Sequence, residues 1–307
     1  MSHGVNKIKE QLMNVYLLYP AISGIGFNTY GKGMEESWIS HGLCNISAYA
    51  KKSGYRVGMI DLRRLKGWDD LKELLEREKV DVIGITMMSV DYNPAMEAIR
   101  IIKKVSPDTR VVVGGPHPTI LTAEMEKESD IDYIVGGEGE RSFTELLGKI
   151  ERGEESPRVI RGVSAENLDT LPFADRELFH ELEYPLPVKG FDSPFVTVIA
   201  GRGCRFNCNY CQPAERHIFG KKVRRRSPLN VIQELEILRE KYAFNSLMIH
   251  DDCITEDRAW VVEFVRLYKE RGFNKPFACQ SRADIICRHE DMVELMAGAG
   301  LKLFFIG

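Results

Sequence analysis

The sequence predicts an α/β protein in two parts: a doubly wound parallel sheet of five strands, followed by the first units of a parallel barrel. Short apolar runs alternate with amphipathic segments along residues 14–150, and the alternation resumes with different lengths after Pro194. Several runs are apolar at consecutive positions, which is typical of strands covered on both faces. Residues 153–193 are polar and rich in proline, so they are predicted to be a linker.

The first part is assigned to residues 1–152 and contains five predicted βα units. Units of this spacing predict a parallel sheet with helices on both faces. A ligand is then expected over the carboxyl ends of the strands. The predicted strands are Asn14–Tyr19, Arg56–Asp61, Val80–Met88, Arg110–Gly114 and Asp132–Val135. The predicted helices are Trp38–Lys52, Trp68–Lys79, Pro94–Val105 and Ser142–Arg152.

The second part is assigned to residues 194–307 and has four predicted strands, which are expected to open a barrel. Ser227 is a predicted N-cap, because Pro228 occupies the first helical position after it. The chain stops in an apolar strand, whereas termini usually lie at the surface, so a C-terminally truncated protein is expected. The strands are Phe195–Ala200, Ser246–His250, Pro276–Ser281 and Leu301–Ile306, and the helices are Pro228–Tyr242, Asp257–Arg271 and Asp291–Ala299.

Composition excludes several classes of protein. The net charge of −3 gives no basic field for nucleic acid. The N-terminus lacks the apolar core of a secretory signal, and no apolar run is long enough to cross a membrane, so a cytoplasmic protein is expected. Seven cysteines, an odd number, argue against a disulfide framework in such a protein. Three of them fall within eight residues, which favours a metal site.

These three are Cys204, Cys208 and Cys211, spaced C-x3-C-x2-C directly after a predicted strand. Thiolates are the usual ligands of iron–sulfur clusters, and a closed cubane has four of them. Three thiolates on one tight loop would hold three irons and leave the fourth open. The alternative is zinc in a regulatory protein, with His217 or Cys253 as the fourth ligand. It lacks the second ligand pair that zinc knuckles usually have.

Tyr210 supplies an aromatic residue before the last cysteine. C-x3-C-x-aromatic-C after a first barrel strand resembles the signature of radical S-adenosylmethionine (SAM) enzymes. The resemblance implies a [4Fe–4S] cluster whose open iron binds the amino and carboxylate groups of SAM, with Tyr210 beside the SAM site. It implies reductive cleavage of SAM to a 5′-deoxyadenosyl radical. It also implies a partial (β/α)6 barrel, of which about four units are present.

The resemblance places SAM contacts at the end of the second barrel strand, at Asp251 and Asp252. Two carboxylates there suit the ammonium group of SAM. Helix capping is the alternative, since Asp252 or Thr255 could cap the helix predicted to begin at Asp257.

Further SAM contacts are implied at Gln280 and Arg282, where the third barrel strand ends. Arg282 suits the carboxylate of SAM, and a surface salt bridge is the alternative. The basic run Lys221–Arg226 is expected to be a solvated charged turn rather than a contact for an acidic substrate.

Glycine-rich turns follow two neighbouring strands of the first sheet, G-G-P-H at Gly114–His117 and G-G-E-G-E at Gly136–Glu140. Glycines there let the backbone approach a large flat ligand closely. The alternative is ordinary turn chemistry, with Glu138 and Glu140 placed favourably at a helix N-terminus.

These two turns, with a radical SAM loop downstream, resemble the cobalamin-binding class of radical SAM proteins. The resemblance implies that the first domain has the B12-binding fold. The sequence Tyr19–Gly24, after the first strand, lacks the D-x-H-x-x-G motif of other B12 domains. Neither His41 nor His117 occupies the position of the histidine in that motif. Cobalamin is therefore expected without a protein imidazole on cobalt. The implied cobalamin contacts are Tyr19, Thr86, Met87, Ser89, Gly114, Gly115, Pro116, His117, Gly137, Glu138, Gly139 and Glu140.

For this class the resemblance implies methyl transfer to an unactivated carbon of a small-molecule substrate. It also implies an electron donor such as flavodoxin or ferredoxin. Two alternatives remain: radical cyclisation or oxidation, as in anaerobic porphyrin-ring cyclases, and a corrinoid- or SAM-binding module without turnover. The substrate and the catalytic residues are not predicted.

Overall fold

The apolar runs of the first part form a parallel sheet of six strands, in the order β2-β1-β3-β4-β5-β6. The computed structural model describes residues 13–20, 39–179, 189–208, 211, 218–220 and 222–307. Strand β1 pairs with both β2 and β3, so the direction of winding reverses there. The strands are β1 Asn14–Tyr19, β2 Arg56–Asp61, β3 Val82–Thr86, β4 Arg110–Gly114, β5 Tyr133–Gly136 and β6 Val159–Arg161.

Helices cover both faces of this sheet, which explains why the inner strands are apolar at consecutive positions. Ser40 caps the first helix, because its side chain accepts a hydrogen bond from the backbone N–H of Leu43. The helices are α1 His41–Lys52, α2 Trp68–Glu78, α3 Tyr92–Val105, α4 Pro116–Ile120, α5 Thr122–Met125 and α6 Glu140–Glu151. The predicted doubly wound architecture is confirmed.

The sixth strand, β6, corrects the predicted count of five. It pairs with β5 inside the segment expected to be a linker. Three half-exposed residues at a sheet edge give too short an apolar pattern to be recognised in sequence. Later in the same segment, Leu178 and Phe179 are buried against the first sheet, and the Asp175 carboxylate accepts a 2.5 Å hydrogen bond from Ser47 in α1. Much of the predicted linker is therefore packed structure.

The second part contains a four-stranded parallel sheet in the order β12-β11-β10-β7 and a two-stranded ladder, β8 with β9. Ser227 caps the first helix as predicted. The strands are β7 Phe195–Val198, β8 Gly201–Arg202, β9 Arg224–Arg225, β10 Ser246–Ile249, β11 Phe277–Ser281 and β12 Leu301–Ile306. The helices are α7 Pro228–Tyr242, α8 Arg258–Glu270, α9 Ala283–Arg288 and α10 Glu290–Ala297. In the part of the chain that the structure describes, no helix has the length and apolarity needed to cross a bilayer.

Candidate functional site

A cavity of about 410 Å³ lies where the two sheets face each other. One wall consists of the carboxyl ends of β1, β3, β4 and β5, and the other of the chain after β7 and β10. Both are the places where α/β sheets and barrels usually bind ligands. The fold thus brings two ligand-binding edges onto one shared space.

Most predicted cobalamin contacts line this cavity, and three do not. Met87 is buried in the core beneath the sheet, and the Ser89 hydroxyl is 3.0 Å from Nδ1 of buried His117. These three were predicted because they belong to the end of the third strand and to the G-G-P-H turn. The predicted contacts that line the cavity are Tyr19, Thr86, Gly114, Gly115, Pro116, Gly137, Glu138, Gly139 and Glu140.

Gly115 shows why the turn after β4 needs glycine. Its φ is +95°, and a Cβ there would lie 2.9 Å from the hydroxyl of Thr86 and 3.1 Å from the backbone nitrogen of Met87. Any other side chain would be strained and would push into neighbouring backbone. The cavity wall is therefore bare backbone at this point, which fits a broad planar group such as a corrin ring.

Asp91 is a cavity-lining residue that the sequence analysis missed. It is fully buried, and Oδ1 accepts a 2.5 Å hydrogen bond from the backbone of Met88. Oδ2 has no hydrogen-bond partner among the described residues, and burial raises the pKa of the carboxyl group to about 7. An unsatisfied buried oxygen is costly. A donor from a ligand, such as a primary amide on a corrin rim, would satisfy it.

Two histidines adjoin the cavity wall. His41, the first residue of α1, lines the cavity, and its Nε2 is 2.7 Å from the hydroxyl of Thr197 in β7. Burial, together with the charge of Arg176, lowers the pKa of His41 well below its usual value. His117 does not line the cavity, its Nε2 is unpartnered among the described residues, and burial lowers its pKa too. Both imidazoles are therefore neutral near pH 7.

The three cysteines of the predicted cluster site are free thiols on the loop after β8. Cys204 and Cys208 are partly buried and Cys211 is exposed, and burial raises the pKa of Cys204. In the described ranges, no group of three or more His, Cys, Asp or Glu side chains is arranged around a single metal ion. A cubane uses a different iron for each thiolate, and three thiols on one loop suit that donor set. Tyr210 and His217 lie outside the described residues.

Arg282, the residue directly after β11, lies beside this loop. Its Nη1 donates to Sγ of Cys208 at 2.9 Å, its Nε bonds Asp284 at 2.9 Å, and its guanidinium covers the ring of Phe206. The predicted surface salt bridge is therefore present together with a contact to a cluster cysteine. Gln280 is partly buried on β11 and does not line the cavity.

The two predicted SAM-binding carboxylates have different environments, although both line the cavity. Asp251 is buried, accepts a 2.7 Å hydrogen bond from the backbone of Ala200 and pairs with Arg225 at 3.0 Å. Burial raises its pKa to about 6, although Arg225 opposes the rise. Asp252 is exposed. The capping alternative is wrong, because Asp257 itself caps α8 through the backbone N–H of Trp260.

The arginines of the basic run are largely buried rather than solvated, which corrects the sequence-based expectation for them. Lys222 is exposed as expected, and Lys221 lies outside the described residues. Arg224 and Arg225 form β9, and their side chains are 6% and 10% exposed. Arg224 pairs with Glu138 of the first domain, Arg225 with Asp251, and Arg226 with Glu234 at 2.5 Å. Glu138 and Asp251 are distant in sequence from the arginines they neutralise, and no local pattern reveals such partners.

Comparison with known proteins agrees with this arrangement. The B12-binding domain model matches residues 32–147, and the Radical SAM superfamily model matches residues 198–307. An uncharacterized methyltransferase of Pyrococcus horikoshii is 27% identical, over 78% of this chain and 54% of its own length. The anaerobic magnesium-protoporphyrin IX monomethyl ester cyclase of Rubrivivax gelatinosus is 25% identical, over 94% of this chain and 54% of its own.

A solved structure has the same fold. The radical SAM methyltransferase TsrM from Kitasatospora setae, solved with cobalamin and a [4Fe-4S] cluster, superimposes with a TM-score of 0.71 at 19% identity. The match covers 96% of this chain and 59% of that one. The chain spans about half the length of the curated relatives it matches.

The fold and the cavity thus define a two-domain protein that presents a B12-type sheet to a radical SAM barrel. The matches to the two family models show that the chain combines a B12-binding domain with a radical SAM domain. Domains of these two types imply cobalamin, SAM and a [4Fe–4S] cluster as cofactors.

Proposed function

We propose that this protein is a cobalamin-dependent radical SAM methyltransferase that acts on an unactivated carbon of a small molecule. In this proposal residues 1–152 bind the corrinoid, residues 194–307 bind the cluster and SAM, and much of the segment between them packs against the first sheet. The observation that carries the proposal is the shared cavity, since it is lined by the predicted corrinoid turns and by the predicted SAM carboxylates. Methyl transfer between two cofactors requires such a common space.

Each group of residues has a separate task. The turns at Gly115 and Gly137 would hold the corrin face, and Cys204, Cys208 and Cys211 would hold the cluster. Asp252 would accept hydrogen bonds from the SAM amino group. Asp251, which follows β10, connects the end of that strand to the end of β7 through Ala200 and to β9 through Arg225. When bound, these cofactors supply a carbon-centred radical and a transferable methyl group. The largely apolar cavity wall would exclude water from the reacting atoms.

We further propose that a flavodoxin or ferredoxin supplies the electron and that the reaction takes place in the cytoplasm. Six cysteines are free thiols, which supports a reducing compartment: Cys204, Cys208, Cys211, Cys253, Cys279 and Cys287.

Anaerobic reconstitution tests the proposal. We expect about four irons, four sulfides and one cobalt per chain, and formation of 5′-deoxyadenosine from SAM and a strong reductant. Cys208→Ala should abolish the iron–sulfur absorption band, whereas the matched change of another free cysteine outside the loop, Cys287→Ala, should retain it. If the reconstituted wild-type protein binds neither the corrinoid nor the cluster, the proposal is contradicted. If the protein binds both cofactors but forms no 5′-deoxyadenosine, the result would indicate a binding module without turnover.

A second candidate is radical cyclisation or oxidation of a ring-bearing substrate. The observation that favours it is coverage, because the cyclase relative aligns with a larger share of this chain than the methyltransferase relative does. Product mass separates the two. Methyl transfer increases the mass of the substrate by one methylene group, whereas cyclisation or oxidation does not add a methylene group.

A further inference from the structure

Two arginines face each other where the cluster loop begins. In the antiparallel ladder of β8 and β9, Arg202 is directly opposite Arg224, and their side chains are 12% and 6% exposed. Like charges at opposite positions of a ladder repel each other, and burial increases the repulsion. This pair therefore requires a buried counter-charge.

Two carboxylates of the first domain provide that charge. Arg202 Nη1 donates to Oε2 of Glu138 at 2.7 Å, and Arg224 Nη1 donates to the same oxygen at 3.2 Å. Arg202 Nη2 donates to Glu140, and Arg224 Nη2 donates to Oε1 of Glu138. Burial favours a raised pKa for Glu138, but the two arginines keep it below the usual value, so the carboxylate stays charged. We call these four side chains the inter-domain ion network.

The turn that carries Glu138 is held in place by its own domain. The backbone N–H of Gly162 donates to the carbonyl of Gly136 at 2.6 Å, and the Thr119 hydroxyl accepts from the N–H of Gly137 at 2.9 Å. A Cβ on Gly162 would lie 2.2 Å from the Glu138 carbonyl oxygen, so the two segments are in close backbone contact. A shift of the turn would therefore disturb the ion network.

The ion network touches both cofactor sites. Gly137 and Gly139, on either side of Glu138, line the cavity, and Arg202 is two residues before the cluster ligand Cys204. A corrinoid seated on the turn would fix the carboxylates that hold Arg202. A cluster on the cysteine loop would fix Arg202 from the other side. Each cofactor thus restricts the same four side chains.

We propose that the inter-domain ion network couples the two cofactor sites, so that the bound cluster raises the affinity for cobalamin and bound cobalamin raises the affinity for the cluster. The effects are equal by thermodynamic linkage, and couplings of this kind are typically about 5–150-fold. Either cofactor, by holding the ion network in one arrangement, would favour the binding of the other. This inference rests on the cofactor assignment above and is independent of the reaction catalysed.

Equilibrium dialysis measures the coupling directly. Hydroxocobalamin is dialysed anaerobically against the 307-residue chain with and without its cluster, and bound cobalt is counted by mass spectrometry. The ratio of the two dissociation constants is the coupling factor, and we expect at least about fivefold tighter binding with the cluster. Arg202→Met should bring the ratio close to one, and Arg202→Lys should recover part of it. Arg266→Met is the matched control, since Arg266 also pairs with two carboxylates but is 50% exposed, and it should keep the wild-type ratio.

The results distinguish this inference from the cofactor assignment. Independent binding of both cofactors to the wild type, or an undiminished ratio in Arg202→Met, overturns the coupling alone. Failure to bind either cofactor overturns the assignment and the coupling together. If Arg202→Met does not fold, Glu140→Gln removes one partner of Arg202 and is expected to reduce the ratio. A wild-type ratio in that variant would also overturn the inference.

Discussion

The guanidinium of Arg282 donates a hydrogen bond to Sγ of Cys208 at 2.9 Å. One of the three proposed cluster ligands therefore has a cationic donor, contributed by the end of β11 rather than by the cysteine loop. Hydrogen bonds and positive charge at cluster sulfurs stabilise the reduced cluster and raise its reduction potential. This contact is the basis of the first prediction.

Arg282→Met should lower the reduction potential of the cluster. The expected shift is on the order of 50 mV, close to the 59 mV that corresponds to a tenfold change in a one-electron equilibrium. Redox titration followed by electron paramagnetic resonance measures it. Arg288→Met, a 67% exposed arginine on the following helix α9, should leave the potential unchanged. Equal potentials in wild type and Arg282→Met would show that the contact does not reach the cluster.

Asp91→Asn should change the pH dependence of stability in the cofactor-free protein. Burial raises the pKa of Asp91 to about 7, so the folded protein binds this proton more tightly than the unfolded chain does. The contribution of Asp91 to the free energy of unfolding therefore falls as pH rises from about 4 to about 7. The asparagine variant has no carboxyl group at this position, so its stability does not fall for this reason. The difference in melting temperature, variant minus wild type, should therefore be larger at pH 8 than at pH 5. A difference in melting temperature between the variant and the wild type that does not change with pH would contradict the prediction.

Glu138→Gln should destabilise the protein strongly, because Arg202 and Arg224 would lose the charge between them. Removing one partner from a buried ion pair costs about 3–5 kcal/mol in the free energy of unfolding. Urea denaturation of the cofactor-free protein measures the loss. Glu154→Gln removes an exposed partner of Arg152 and should cause a much smaller loss, because solvent screens an exposed ion pair. Adding Arg224→Met to Glu138→Gln should restore part of the stability, and no recovery would argue against repulsion as the cause.

Gly115→Ala should be more damaging than the same change at Gly54. Both glycines have positive φ, +95° and +98°, but a Cβ on Gly54 meets nothing within 4 Å, whereas one on Gly115 meets Thr86 and Met87. Gly54→Ala should cost about 1–2 kcal/mol for backbone strain alone, and Gly115→Ala clearly more. Cobalt retained after gel filtration should fall in Gly115→Ala only. Equal behaviour of the two variants would mean that the close approach at Gly115 has no role in corrinoid binding.

The sequence predicted the features that depend on neighbours along the chain. Apolar runs located the inner strands, and the position of Ser227 before Pro228 predicted a helix cap that the structure confirms. The cysteine spacing predicted a cluster loop, and that stays a prediction. The strand β6 was missed, since three residues at a sheet edge carry no periodic signal. Asp91 was missed because only burial distinguishes it from an ordinary acidic residue at a helix start.

By itself the sequence determined the two domain types and the cofactors they imply, because strand periodicity and loop motifs are local properties of the chain. Only the tertiary structure decided how the domains act on each other. The sequence analysis treated Glu138 as a corrinoid contact and the basic run as solvated, yet Glu138 pairs with Arg202, 64 residues further along the chain, and with Arg224. Ion pairs of that separation form where packing buries opposite charges together, and no local pattern encodes which charges will meet.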